Sequence, residues 1–364
     1  MSKKYSKQSS VTESPASLET AEIEKLNTEA VETVGDDVVE SYFANKLAKE
    51  VGGEQLRVGT ISLVGETNAG KSTLLNALLG EKVSIVSPKP HTTRQRVLGI
   101  LNRTEGQMVF VDTPGFAKER SASQLAKFVQ RELRDGSRGV DLTVLVVDVL
   151  PFVRGKRRVE DLVSRFSARG LELPSIVVLN KVDATRKDLL LPLIAGLSSE
   201  FQKLTGSVPD LLPVSSVTKD GVEELEKLIL SRLPLGPRLF PEDVVSDQSE
   251  EFFVSEIVRE KLFLVLRQEI PYSLAVHVDH WVDEDTLQKI SARIIVERES
   301  QKAVVIGKGA QMLKFIGQSA REELEKIFGC KVYLELQVRV EPDWTHSAQG
   351  MTRAGYSGSE KRDG

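Results

Sequence analysis

Gly65, Glu66, Thr67, Asn68, Ala69, Gly70, Lys71 and Ser72, with Thr73 behind them, spell G-x-x-x-x-G-K-[ST]. Glycines in such a loop let the backbone curl until several N–H groups face one point. A helix starting at the lysine adds the positive end of its dipole. That combination suits the phosphates of a nucleoside triphosphate, with Lys71 reaching the β- and γ-phosphates and the Ser72 hydroxyl placed for Mg²⁺. Asp112, Thr113, Pro114 and Gly115 follow in the order and at the distance expected of a second phosphate-side segment. Asp112 is placed to hold Mg²⁺ through a water, and the Gly115 N–H to meet the γ-phosphate, so that its peptide changes partner when that phosphate leaves. Asn180, Lys181, Val182 and Asp183 choose the base. The Asp183 carboxylate accepts two hydrogen bonds from guanine, where adenine offers neither donor. Asn180 either contacts guanine N7 or ties the loops together, the Lys181 stem covers the ring, and Ser215, Ser216 and Val217 close over the base. Between the first two segments lies the loop His91, Thr92, Thr93, Arg94, Gln95, Arg96. A threonine hydroxyl there completes the Mg²⁺ shell, with Thr93 preferred and Thr92 the runner-up. Arg94 and Arg96 read equally well as a solvated stretch.

These side chains need strands that end at one edge of a sheet. The apolar, β-branched run 58–64 leads into the glycine loop, and residues 74–79 read as the helix leaving it, with Gly80 as its stop. Residues 109–111, 142–148, 175–179 and 211–214 are further apolar strands, and residues 222–229 a closing helix. Fully apolar strands alternating with helices predict an α/β fold, a mostly parallel sheet covered on both faces. Ligands bind such sheets at the carboxyl ends of the strands, where Asp112 and Asn180 sit.

The chain has 364 residues, a formal net charge of −4 and 40% apolar residues. That length suggests two or three domains. The charge gives no global sign of nucleic-acid binding, so any such role must rest on a local site. No apolar run is long enough to span a bilayer, and Met1 to Tyr5 does not lead into a secretory signal. Cys330 is the single cysteine, with no internal partner for a disulfide. Residues 1–55 are polar and predict a mostly disordered extension, with helical periodicity over 21–49. A nucleotide domain is expected over 56–236, ending in the Pro/Gly-rich linker 233–237. A small α+β domain is expected over 237–343: a helix over 250–268, strands over 273–282 and 289–297, a glycine turn at 307–309, a helix over 311–328 and a strand over 331–340. The Gly/Ser-rich, charged stretch beyond 343 predicts a frayed tail.

Val304 to Leu313 resembles the K homology (KH) signature, V-I-G-x-x-G-x-x-[IL], whose loop clamps single-stranded nucleic-acid backbone between two helices. The late position of the motif and the final strand fit the type II KH topology. Ala310 stands where the signature has its second glycine; alanine holds a helix start but narrows the room for a phosphate.

The order of the nucleotide segments is similar to that of the translation-factor class of GTPases. The whole chain from 56 to 344 resembles the Era family, on the residues 71–79, 91–100, 240–243, 255–262, 269–273 and 295–299. The resemblance implies a Ras-like GTPase domain joined to a KH domain that binds the 3′ end of 16S rRNA during assembly of the small ribosomal subunit. It also implies a monomer in the cytoplasm, loosely peripheral on the inner membrane. GTP, GDP and Mg²⁺ are the implied ligands, with Lys71, Thr93, Gly115 and Asn68 in catalysis and Ile306, Gly307, Lys308, Gly309, Ala310 and Lys314 on RNA. Phe116 stands where many regulatory GTPases carry a water-positioning glutamine, so hydrolysis leans on something else. Asn68 matches the asparagine that coordinates K⁺ beside the phosphates in relatives with the same Thr-Thr-Arg loop. Two other readings remain: a nucleotide-gated binding module with very slow turnover, and a related GTPase whose KH-like domain binds protein.

Overall fold

The computed structural model describes residues 56–89, 92–116, 123–168, 171, 173–284 and 286–356. The expectations for residues 1–55, for His91 and for residues 357–364 lie outside the described residues.

Each apolar run becomes a strand of one sheet. β1 (Leu56–Gly65) leads to α1 (Lys71–Leu79); β2 (Val97–Arg103) and β3 (Gly106–Asp112) form a hairpin; α2 (Gln124–Asp135) follows. β4 (Leu142–Asp148), α3 (Leu150–Val153), α4 (Val159–Ser167), β5 (Ile176–Asn180), α5 (Leu190–Thr205), β6 (Asp210–Val214) and α6 (Val222–Arg232) complete the unit, with β7 (Leu235–Gly236) antiparallel to the start of β1. The order is β2-β3-β1-β4-β5-β6, parallel except for β2. β3 and β5 are buried along their whole length, as strands covered on both faces must be. One apolar cluster joins Ile61, Leu63, Phe110 and Val144 to α1 and α6. The other joins Val64, Leu145, Val147 and Leu179 to α4 and α5. β1, β3, β4 and β5 therefore deliver Gly65, Asp112, Asp148 and Asn180 to one edge.

The second unit is a three-stranded sheet, β10-β9-β8, of β8 (Ala275–Glu284), β9 (Leu287–Val296) and β10 (Lys331–Val340), with β9 and β10 parallel. α7 (Glu250–Val265), α8 (Glu299–Ile306) and α9 (Gln311–Phe328) cover one face through Ile257, Leu262, Val305, Ile316 and Leu324. α8 carries only two turns, too short for its periodicity to show in sequence.

Two stretches depart from expectation. The linker does not hand over to the second unit at 237. Residues 238–246 run as a strap along the β2–β3 hairpin: Arg238 Nη2 donates to Arg103 O (3.0 Å), the Gln107 amide oxygen accepts from Leu239 N (2.7 Å) and Phe240 N (2.9 Å), and Ile100 N donates to Val245 O (2.8 Å). The strap covers an edge strand that would otherwise be open to pairing. The frayed tail is also corrected. Trp344 is fully buried and stacks on Tyr356 at 5.8 Å, and α10 (Ala348–Arg353) brings Met351 into the same cluster as Leu125 and Phe128 of α2. Two aromatic anchors outweigh a polar, glycine-rich composition, because each buries a large apolar area.

Candidate functional site: a nucleotide cleft with one loop held by the second domain

The glycine loop closes where two chain segments leave no room for a side chain. A Cβ on Gly70, whose φ is +95°, would lie 2.3 Å from Asn180 Nδ2. A Cβ on Gly115 would lie 2.6 Å from Thr67 Cα. The second contact puts the Gly115 peptide against the glycine loop, beside Lys71. Phe116 N donates to Gly65 O (3.1 Å) and Thr67 N to Phe116 O (3.2 Å), stitching the two segments together. The Phe116 ring itself lies in the core with Val64, Leu133 and Val149, turned away from the loop.

Lys71 Nζ donates to Gly65 O and Glu66 O, both at 3.1 Å. Burial lowers its pKa to about 8, with the Asp112 charge opposing. Ser72, Thr93 and Asp112 meet: Ser72 Oγ lies 2.9 Å from Thr93 Oγ1 and donates to Asp112 Oδ2 at 2.6 Å. Ser84 Oγ, absent from the sequence reading, donates to the same oxygen at 2.9 Å. Asp112 Oδ1 is buried with no partner. Burial raises the Asp112 pKa, against the Lys71 charge and the two serine hydroxyls. Two hydroxyls beside a buried carboxylate with one unspent oxygen fit a hard, hydrated divalent cation. Of the two threonines weighed for this shell, Thr93 is the one beside Ser72. The Thr92 hydroxyl is turned to Ser87 Oγ (2.9 Å) and Lys89 O (2.8 Å).

At the other end, Asn180 resolves to the tying role. Its Nδ2 donates to Ala69 O (2.9 Å), and its Oδ1 accepts from Ser216 N (3.1 Å), Ser216 Oγ (2.9 Å) and Lys181 N (2.9 Å). Ser215 Oγ donates to Asp183 Oδ1 (2.6 Å), fixing the carboxylate for a base. Lys181, at φ 68°, donates to Asn68 O (2.6 Å) and Asp148 Oδ2 (2.7 Å), and so stretches across the site. Asp148, at the carboxyl end of an apolar strand, had the signal of a site residue in its position alone.

Several expected site residues turn elsewhere. Thr113 Oγ1 donates to Leu63 O, Val182 joins the core, and Ala69 packs under the loop. Glu66 pairs with Arg157 and Arg165 of the α4 region. Val217 is 74% exposed. Thr67, Asn68 and Thr73 line the cleft with Gly115. Asn68 Nδ2 donates to Pro88 O at 2.9 Å.

The loop before Arg96 is not solvated as a whole. Arg94 is 3% exposed, and its guanidinium donates to Leu274 O (2.6 Å), Pro271 O (3.0 Å), Tyr272 O (3.0 Å) and the Tyr356 hydroxyl (2.8 Å), all in the second unit. Its neighbours are held the same way. Ile85 sits in the second unit's core, Val86 N donates to Glu260 Oε1 (2.8 Å), Lys89 Nζ caps the carbonyls of Phe263 and Leu266, and Lys82 pairs with Glu260 and Glu323.

In the second unit the glycine turn joins α8 to α9 as expected. Gly307, at φ +71°, has Met312 Cβ 2.7 Å from where its own Cβ would be. Ala310 is corrected: it does not start the helix in a relaxed conformation but caps it at φ 59°, in the left-handed region. That conformation costs a non-glycine residue about 1 kcal/mol. Lys308, Gly309 and Lys314 are exposed around the turn, and Ile306 packs beneath it.

A sheet of this order with a glycine loop, a metal-ready Ser/Thr/Asp cluster, a loop-tying Asn180 and the Asp183 carboxylate held beside it defines a P-loop GTPase, here continuous with a KH domain. The family description "50S ribosome-binding GTPase" matches residues 60–181, and "KH domain" matches residues 269–345. GTPase Era of Geobacter sp. (strain M21) is 42% identical over 305 residues, covering 83% of this chain and 99% of that protein. GTPase Era of Syntrophus aciditrophicus is 41% identical, covering 82% and 95%. A variant of Aquifex aeolicus Era bound to GDP.AlF4⁻ superposes with a TM-score of 0.75 at 39% identity, covering 83% of this chain and 100% of that one. Era in complex with MgGDPNP and nucleotides 1506–1542 of 16S ribosomal RNA gives the same score and identity, covering 83% and 99%. The chain belongs to the GTPase Era family.

Proposed function

We propose that this chain hydrolyses GTP with Mg²⁺ and uses the nucleotide to time the hold of its KH domain on the 3′ end of 16S rRNA during assembly of the small ribosomal subunit. The observation that carries the reading is the contact of Ser72, Thr93 and Asp112 near Lys71, in a chain whose second domain holds the loop that carries Thr93. Lys71 neutralises phosphate charge, Ser72 and Thr93 offer hydroxyls to the metal, and the Asp112 carboxylate takes its water through Oδ1. Magnesium held there would supply charge neutralisation to the phosphates. The Gly115 N–H donates to the γ-phosphate. Asp183 reads guanine, with Ser215 fixing its orientation. Ile306, Gly307, Lys308, Gly309, Ala310 and Lys314 face RNA backbone. Asn68, its amide nitrogen spent on Pro88, would hold K⁺ through its amide oxygen, and the ion would supply positive charge where Phe116 offers no polar side chain. Faster turnover in potassium than in sodium is expected, and equal rates would remove this role. The chain works as a monomer on the cytoplasmic side, loosely peripheral to the membrane; among the described residues no helix is long and apolar enough to cross one. Co-sedimentation with small ribosomal subunits tests the whole reading: retention with a non-hydrolysable GTP analogue and release with GDP are expected, and equal behaviour under both contradicts it.

A further inference from the structure

We propose that Arg94 and Arg259 are positioning residues for the metal-site threonine, so that the KH domain, rather than the GTPase domain, sets where Thr93 stands. The proposal rests on the reading that Thr93 serves Mg²⁺ in the triphosphate complex. Arg259 of α7 is buried among Glu256, Phe263 and the loop, and its Nη2 donates to Thr92 O at 2.5 Å. Arg94 is seated in the second domain by four acceptors and lies against the rings of Phe263 and Tyr356, at 5.9 and 5.8 Å. The residues on both sides of Thr93 are therefore held by the KH domain. The backbone carbonyl of Thr92 and the side chain of Arg94 are both tied to the KH domain, which limits the travel of the backbone between them. Its β-branched side chain has a restricted χ1, and the hydroxyl lies where Ser72 meets it.

The chemistry of the Arg94 pocket makes this grip conditional. Its four partners are three carbonyls and a phenol, and none carries a charge. A guanidinium buried among neutral acceptors gives up strong hydration and regains it only if every acceptor is met. A small displacement of the loop breaks several of these bonds together, so seating is close to all-or-none. What the KH domain contributes to Thr93 the metal-bound triphosphate must return to the seating of Arg94, since coupling between two sites is reciprocal. A diphosphate has no γ-phosphate for Thr93 to stand beside and leaves the seating alone.

Equilibrium binding of a non-hydrolysable GTP analogue and of GDP to the full chain, each across a Mg²⁺ titration, tests this. Arg94→Gln is expected to weaken the analogue about tenfold and to move its Mg²⁺ midpoint upward, the size seen when groups orienting a metal ligand are removed. GDP affinity should stay within about twofold. Tyr356→Phe deletes one acceptor and keeps the ring, so it guards against a folding failure; about threefold in the same direction is expected. Equal loss of both nucleotides in Arg94→Gln, or loss of neither, overturns the proposal. Thr93→Val is the control for the reading beneath it. If that variant binds the analogue normally, the metal assignment of Thr93 fails and takes the proposal with it. If Thr93→Val is selective and Arg94→Gln is not, the positioning role alone is wrong.

Discussion

The two ends of the nucleotide site are held by different parts of the molecule. At the base end, Asn180, Lys181, Asp183, Ser215 and Ser216 are tied to one another, to Ala69 and Asn68 of the glycine loop, and to Asp148, Val149, Ala184, Thr218 and Asp220. All of these lie in the GTPase domain. At the phosphate end, the loop from Lys82 to Arg94 bonds to Glu260, Phe263, Leu266, Leu274 and Tyr356 of the second domain. The residues proposed to read the base are thus held within the GTPase domain. Thr93, proposed to serve the metal, stands in a loop held by the second domain. On the proposed function, a site divided in this way would keep hold of a guanine nucleotide while the state of its last phosphate is passed on.

The sharpest way to break this comparison is at the base end. Asp183→Asn should weaken GTP by at least about a hundredfold, two bonds to a charged group being lost, and should shift preference toward xanthine nucleotides. Competitive nucleotide displacement measures it, and unchanged GTP binding would show the base end to lie elsewhere. Next in size is Ile85→Ala, which removes a side chain of the GTPase loop from the core of the second domain. A loss of about 2–4 kcal/mol in unfolding free energy is expected. GDP affinity should be untouched and analogue affinity reduced; a reduction in both would mean that the two ends are not separable. A third effect is pH dependence confined to the phosphates. Lys71 must be protonated to neutralise them, and its pKa before binding is about 8. Affinity is therefore full below that value and falls as pH rises through it, by up to about tenfold per unit. Isothermal titration at several pH values checks the slope, and Lys71→Gln should abolish it. The smallest effect is Ala310→Gly. Relief of about 1 kcal/mol of left-handed strain is offset in part by the looser unfolded chain, leaving a gain below about 1 kcal/mol. Thermal melting reads that gain, and RNA affinity should rise; a fall in melting temperature would show that the methyl group at 310 packs rather than strains.

The motifs of this site were legible because each is contiguous. Residues 65–73, 112–116 and 180–183 carry their geometry in their own order, and each follows an apolar strand that fixes where it must stand. The destination of Arg94 was not legible. Three of its acceptors are backbone carbonyls about 180 positions away, and a carbonyl leaves no trace in residue identity. Ser84 was missed because one serine in a polar loop carries no periodicity. The tail was misread because composition averages over the stretch, and two aromatic residues, Trp344 and Tyr356, decide it. β2 escaped for a related reason: paired antiparallel with β3 and covered by the strap, it belongs to a hairpin rather than to the alternating strand–helix pattern.

The bond from Arg94 to Tyr356 joins positions 262 apart in the chain. Synthesis runs from the amino end, and domains fold as they emerge. A nascent GTPase domain thus completes its sheet, its glycine loop and its base-reading residues long before the seat for Arg94 exists. On the proposed function, such a domain would hold a guanine nucleotide before the anchor beside Thr93 is made. The segment around Trp344 and Tyr356 completes that anchor.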